Sequence, residues 1–255
     1  MLTTSPSSAA TDADSGVGCF RLAVMRSGTG GAPPRFQEYE LQAGPRTSVL
    51  EALLRLQDEQ DPSLAFRYSC RGAVCGSCAM SIDGRLNLAC RVLLGALGAA
   101  PIVVEPLPHL TVLKDLVVDM DPFWAKYEGV RPWLHRQVEG AEEARVSPAE
   151  RQRLEAFVDC ILCGLCYGAC PVLDQHEDFA GPAALAHLHR FVADVREADR
   201  GADLAAVDSD SGVWGCRTVE RCAAVCPRHV RPSDGVASLR RRLLVHRVTG
   251  RAGRP

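Results

Sequence analysis

Eleven of the twelve cysteines in this 255-residue chain fall into two arrays: Cys70, Cys75, Cys78 and Cys90, then Cys160, Cys163, Cys166, Cys170, Cys216, Cys222 and Cys226. Thiols this closely spaced oblige the backbone to form loops that return sulfur atoms to common points, which limits the fold more than any helix or strand signal does. Free thiols at ligand spacing, rather than an even disulfide framework in a short secreted chain, indicate a reducing compartment. Eleven divides as four, four and three. Two iron-sulfur clusters with four thiolates each and one with three would use every clustered cysteine, whereas zinc sites leave no natural three-cysteine remainder.

The first array has the spacing C-x4-C-x2-C at Cys70, Cys75 and Cys78, which is that of plant-type 2Fe-2S ferredoxins. Gly72, Gly76 and Ser77 leave backbone N–H groups free to donate toward the sulfur atoms, and Cys90 supplies the fourth thiolate on the returning arm of a hairpin turned at Asp83 and Gly84. Arg67 and Arg71 flank the loop. A zinc knuckle is the competing reading, but a regular pair of C-x2-C pairs is absent.

The second array opens with C-x2-C-x2-C-x3-C-P at Cys160, Cys163, Cys166, Cys170 and Pro171, the run of bacterial two-cluster ferredoxins, in which the fourth cysteine serves the other cluster. By that crossover, Cys226, which precedes Pro227, completes a 4Fe-4S site with Cys160, Cys163 and Cys166. Cys170 then joins Cys216 and Cys222. A full run would place a cysteine at residue 219, where the chain has Val219. Three thiolates without a fourth imply a 3Fe-4S cluster, easier to reduce and suited to passing electrons to a quinone.

Around these arrays the pattern is α+β. Residues 19–25 and 36–41 read as strands joined by a Gly/Pro-rich loop over 27–34, and residues 48–60 as an amphipathic helix with Thr47 or Ser48 as N-cap and Glu51 placed for a capping box. Runs over 78–82 and 86–93 and a last strand over 102–105 complete a small mixed sheet crossed by one helix, the shape of ubiquitin-like (β-grasp) ferredoxins. The boundary to a second, all-α helical ferredoxin domain falls near Asp121 and Pro122, giving domains of 19–121 and 122–250. Ser147 and Pro148 open a helix that carries Leu154, Phe157 and Val158 toward the cysteines, Pro182 opens one running to Arg200, and Pro232 opens a last one to Val248. Residues 251–255 are expected to fray. Residues 1–18 read as a disordered tail without the pattern of a signal peptide. His187 and His189 read as surface or hydrogen-bonded packing residues, and Cys19 as a buried inert thiol.

With a net charge of -2 the chain lacks the basic balance of a nucleic-acid partner. No window approaches the roughly 20 apolar residues of a membrane span, so attachment to a membrane calls for another subunit.

The ordered series YSCRGAVCGSC (68–78), LAC (88–90), DLVVDM (115–120), CILCGLC (160–166), GPAA (181–184) and GVWGC (212–216) resembles the iron-sulfur subunit of succinate dehydrogenase and fumarate reductase, over residues 20–244. The resemblance implies a complex in which an FAD-containing flavoprotein interconverts succinate and fumarate and membrane anchor subunits bind quinone. This chain would sit peripherally at the cytoplasmic face of the cell membrane and pass electrons between them, with no substrate-converting residue of its own. Ubiquinone-linked relatives carry a tryptophan pair after the first Cys-Pro and a histidine after the first cysteine of the last group. Here Asp174, Gln175 and Arg217 stand there, closer to the fumarate reductase, menaquinone-linked branch. Pro171, Arg217, Thr218, Val219 and Arg240 are the candidate walls of a quinone pocket. The alternatives are an iron-sulfur relay for another flavin dehydrogenase, of the glycolate or heterodisulfide type, and a structural zinc protein.

Overall fold

The computed structural model describes residues 16–28, 33–98, 101–135 and 145–249. Residues 1–15 of the expected tail, the centre of the first loop, residues 136–144 and the expected C-terminal fray at 251–255 lie outside them.

Strands β1 (Gly18–Arg26) and β2 (Arg35–Ala43) pair antiparallel without a slip, from Gly18 opposite Ala43 to Arg26 opposite Arg35. Helix α1 (Val49–Glu59) lies across the sheet and buries Val49, Leu50, Ala52, Leu53 and Leu56. The Ser48 hydroxyl accepts from the Glu51 N–H, one half of the expected capping box. Strands β3 (Ala79–Ile82) and β4 (Arg85–Leu88) form the expected hairpin, with Asp83 and Gly84 both at positive φ (48° and 69°) as a tight primed turn requires. Strand β5 (Ile102–Glu105) enters parallel to β1 and antiparallel to β3, giving the order β2-β1-β5-β3-β4. This is the β-grasp arrangement.

The strand expected over 86–93 ends at Leu88, because after one last ladder bond from Ala89 N–H to the Cys78 carbonyl, Arg91 N–H turns back to the Leu88 carbonyl. The carbonyls freed at Ala89 and Val92 accept from Leu50 and Val49, two otherwise orphaned donors of the first turn of α1. Strand β5 is not the last, since β6 (Val112–Lys114) and β7 (Val117–Val118) form a small ribbon. Between them Asp115 is buried, accepting from Ser27 and Ala65 N–H and pairing with Arg26 at 3.0 Å. Cys19 is exposed, not buried, because it shares the outward face of β1 with Arg21 while Leu22 and Val24 enter the core.

The remainder is helical: α2 (Asp121–Gly129), α3 (Pro148–Val158), α4 (Leu165–Gly168), α5 (Pro182–Val192), α6 (Arg200–Ala205), α7 (Arg221–Ala224) and α8 (Pro232–Thr249). Ser147 and Glu150 close a complete capping box on α3. Leu154 and Phe157 are buried, but Val158 points to solvent. α5 is the hub, with α2, α3, α4, α6 and α8 against it. It stops at Val192 rather than near residue 200. The Asp194 carboxylate accepts from Arg196 N–H, a local turn that competes with the helix, and Arg200 donates to the Val192 and Asp194 carbonyls. α8 crosses closely at Gly235, where a Cβ would lie 3.0 Å from Phe157 and 3.3 Å from His189. Among the described residues no helix is long and apolar enough to cross a membrane.

His187 and His189 are neither surface nor hydrogen-bonded. Both are buried on α5, both ring nitrogens of His187 and Nδ1 of His189 lack partners, and the rings meet Tyr127 and Phe157 edge to face. Burial first, then Arg190 for His187 and Arg242 and Arg241 for His189, pushes each imidazole down to about 4. In the unfolded chain they titrate near 6.5, so between about pH 6.5 and 4 the unfolded state takes up protons that the folded state refuses. Their contribution is complete above pH 6.5 and is lost as pH falls, at about 2 kcal/mol per imidazole by pH 5. Anaerobic denaturant midpoints at pH 7 and 5 should show this, and a His187→Phe, His189→Phe variant should lose less stability between the two. An equal loss in both proteins would contradict it.

Candidate metal centres

The loop after Cys70 is wound by three residues at positive φ, Arg71, Ala73 and Gly76. This winding turns the N–H groups of Gly72, Val74 and Cys75 onto Cys70 Sγ, each at 3.3 Å, while Cys70 N–H lies 3.4 Å from Cys75 Sγ. Such a nest of backbone donors stabilises anionic sulfur. The Cys70 N–H and then the Ser77 hydroxyl hold the Cys75 thiol down to about 6, whereas burial, with Cys90 and Cys75 as neighbours, pushes Cys78 up to about 12. Cys90 reaches the group from the turn beyond β4 rather than from the strand itself.

Cys160, Cys163, Cys166 and Cys226 line one cavity, under the Pro227 ring and against Ala183 of α5. Burial raises the Cys160 thiol, lifts Cys163 to about 11 and drives Cys166 well above the usual thiol value, with the neighbouring thiolates adding to each. Cys170, Cys216 and Cys222 line a second cavity together with Pro171, Arg217, Thr218 and Val219. Burial raises Cys170, and burial followed by Cys216 raises Cys222 to about 11.

The two cavities are built by a repeated piece of backbone. Leu162 and Gly164 have φ of 52° and 79°, and Thr218 and Glu220 have 55° and 61°. A four-residue helix follows in each case, α4 with Cys166 and α7 with Cys222 at its second position, and each ends in Cys-Pro. Cys160 corresponds to Cys216, Cys170 to Cys226, and Cys163 to Val219. The α4 and α7 turns pack on each other, so each terminal cysteine reaches across to the other cavity.

Of the candidate pocket walls, Pro171, Arg217, Thr218 and Val219 come together. Arg240 does not join them. Its guanidinium donates to the carbonyls of Val213 at 2.8 Å and Cys216 at 2.5 Å and lies over the Trp214 ring, fixing the segment that presents Cys216.

These thiols fit iron better than they fit protons. Buried sulfur atoms that raise one another's affinity for a proton would be neutral thiols in the bare chain, and a bound cation reverses that balance by deprotonating its ligands outright. A further group, His135, Glu197 and Asp203, falls within 4.8 Å. There Arg131 Nη2 stands 2.9 Å from His135 Nε2. A guanidinium only donates, so Nε2 accepts and the ring proton sits on Nδ1, 3.2 Å from Glu197. Arg131 is already the cation of that junction.

A β-grasp unit with a four-thiol loop, followed by helices with a four-thiol and a three-thiol cavity, defines an iron-sulfur electron-transfer protein. Residues 21–125 match the 2Fe-2S iron-sulfur cluster binding domain, and residues 156–230 the 4Fe-4S dicluster domain. The chain is 42% identical over 209 residues to the fumarate reductase iron-sulfur subunit of Mycobacterium tuberculosis, covering 80% of this chain and 83% of that one. It is 37% identical over 215 residues to the mitochondrial succinate dehydrogenase [ubiquinone] iron-sulfur subunit 1 of Oryza sativa subsp. japonica, covering 82% and 75%. A chain of the Mycobacterium smegmatis Sdh1 complex in the apo form superposes with a TM-score of 0.80 at 27% identity, over 92% of this chain and 99% of that one. The chain belongs to the family of iron-sulfur subunits of succinate dehydrogenase and fumarate reductase, the electron-transfer components of those oxidoreductases.

Proposed function

We propose that the chain carries electrons between the FAD of a flavoprotein subunit and a membrane quinone, through a 2Fe-2S, a 4Fe-4S and a 3Fe-4S cluster in that order. The observation that carries this reading is the sorting of eleven thiols into groups of four, four and three. Cys70, Cys75, Cys78 and Cys90 hold the first cluster, Cys160, Cys163, Cys166 and Cys226 the second, and Cys170, Cys216 and Cys222 the third. When bound, the clusters supply one-electron carriers. The residues around them set potential and order: N–H donors at the first loop, a dry and crowded cavity at the second, and apolar Val219 in place of a ligand at the third.

Residues 19–121 form the 2Fe-2S unit and 122–250 the helical one. Pro171, Arg217, Thr218 and Val219 form the quinone-facing wall, with Arg240 supporting it through the Cys216 segment. Asp174, Gln175 and Arg217 favour menaquinone. Membrane anchor subunits hold the chain peripherally at the cytoplasmic face.

Electron paramagnetic resonance on anaerobically purified chain tests the reading. An oxidised-state 3Fe-4S signal should be followed on graded reduction by 2Fe-2S and then 4Fe-4S signals, and a flavoprotein active on succinate or fumarate should co-purify. Zinc in place of iron, without acid-labile sulfide, would overturn it.

A further inference from the structure

The two cysteine arrays, far apart in sequence, touch through bare backbone at one point. Gly76 lies between Cys75 and Ser77 with φ +76°, and a Cβ placed there would come within 2.6 Å of Cys163 Cβ, 2.9 Å of Cys163 Cα and 3.3 Å of the Ile161 carbonyl oxygen. The first two separations are shorter than real side-chain carbons tolerate, and the atoms met belong to the ligand loop itself, not to the end of a flexible side chain. The φ value disfavours an L side chain independently. A second tie joins the same two centres. Arg91, the neighbour of Cys90, donates from Nη1 to the carbonyl of Pro227, the neighbour of Cys226, at 2.9 Å. Both centres are thus pinned together by residues immediately adjoining their thiols.

We propose that Gly76 is a positioning residue that sets the separation of the first and second centres, with Arg91 holding the same separation through Pro227. The inference rests on the ligand reading above. Electron transfer between carriers, and the magnetic interaction between two paramagnetic centres, both fall steeply with separation. A residue that merely stabilises the loop alters occupancy. One that sets separation alters the interaction within fully loaded molecules.

In Gly76→Ala the loop must shift away from Cys163. Iron and sulfide content should stay near wild type in the loaded fraction, and the 4Fe-4S signal should keep its shape and midpoint potential, so that the comparison is made between fully loaded molecules. The relaxation enhancement of the 2Fe-2S signal on reduction of the 4Fe-4S centre, read by power saturation, should weaken several-fold. Unchanged enhancement in fully loaded Gly76→Ala overturns the inference. Where Gly76→Ala fails to load, Arg91→Ala, which leaves both ligand loops without a new atom, decides in its place: weaker enhancement supports the role and unchanged enhancement overturns it. A wild-type chain lacking either signal would remove the ligand reading, and this inference with it. Normal wild-type signals with indifferent variants remove this inference alone.

Discussion

Stripping iron from the chain with a chelator under anaerobic conditions is expected to unfold the cysteine-bearing helical region while the β-grasp sheet persists. α4 and α7 are four residues each, far below the roughly 12–15 residues at which an isolated helix becomes even marginal. Their stability therefore comes from what they grip. With the metal gone, Cys163, Cys166 and Cys222 become buried neutral thiols, since burial and their neighbours already hold them protonated. Backbone N–H groups at Cys163 and Cys222 are then the polar partners that remain in place of metal. Metal-binding energy at such sites is folding energy, on the order of 10 kcal/mol for a structural centre, comparable with the whole stability of a domain. The sheet buries Leu22, Val24 and Leu41 against Leu53 and Leu56 of α1, apolar contacts that need no metal. Hydrogen exchange should therefore rise over residues 160–172 and 213–230 and stay low in β1, β2 and α1. Equal protection before and after chelation in both regions would refute the claim.

Val219→Cys should convert the third centre. Val219 occupies the place that Cys163 holds in the repeated backbone, lines the cavity of Cys170, Cys216 and Cys222, and is more than half exposed on its outer side. A thiol there needs no backbone change, because the flanking φ values already match those around Cys163. A fourth thiolate adds negative charge and a site for a fourth iron, so the oxidised-state 3Fe-4S signal should vanish and the midpoint potential fall by on the order of 100 mV or more. Retention of the 3Fe-4S signal in a variant with the cysteine present would mean that residue 219 is not the missing ligand position.

The parts of this structure that local sequence specified were legible. Ser48 and Ser147 announce their helices through side chains that reach only three residues onward, and the cysteine spacings report loops of a few residues. Cys19 reads as a buried thiol, although alternation along β1 places it on the face of Arg21, where it is exposed. Other features depend on partners remote in sequence. The β6–β7 ribbon is too short to show a period, and it is held by Asp115 reaching Ser27 and Ala65. The end of α5 is decided by a side-chain turn at Asp194 and a guanidinium from Arg200. The burial of His187 and His189 follows from α5 being enclosed on every side, and nothing near Gly76 in sequence reports its contact with Cys163. Arg240 could be placed near the third centre, but whether it faces the cavity or braces the backbone is a matter of helix rotation.

The crossing of the two Cys-Pro segments constrains how the chain is made. As residues 160–170 leave the ribosome, none of their thiols can find its full set of neighbours, because Cys216, Cys222 and Cys226 have yet to be translated. The first loop, from Cys70 to Cys90, can close as soon as its own sheet emerges. The first loop's thiols are thus all available early, whereas both helical cavities gain their full sets of thiols only with the last few dozen residues. A chain cut short before Cys226 would leave the cavity of Cys160, Cys163 and Cys166 without its fourth thiol while the sheet is already complete.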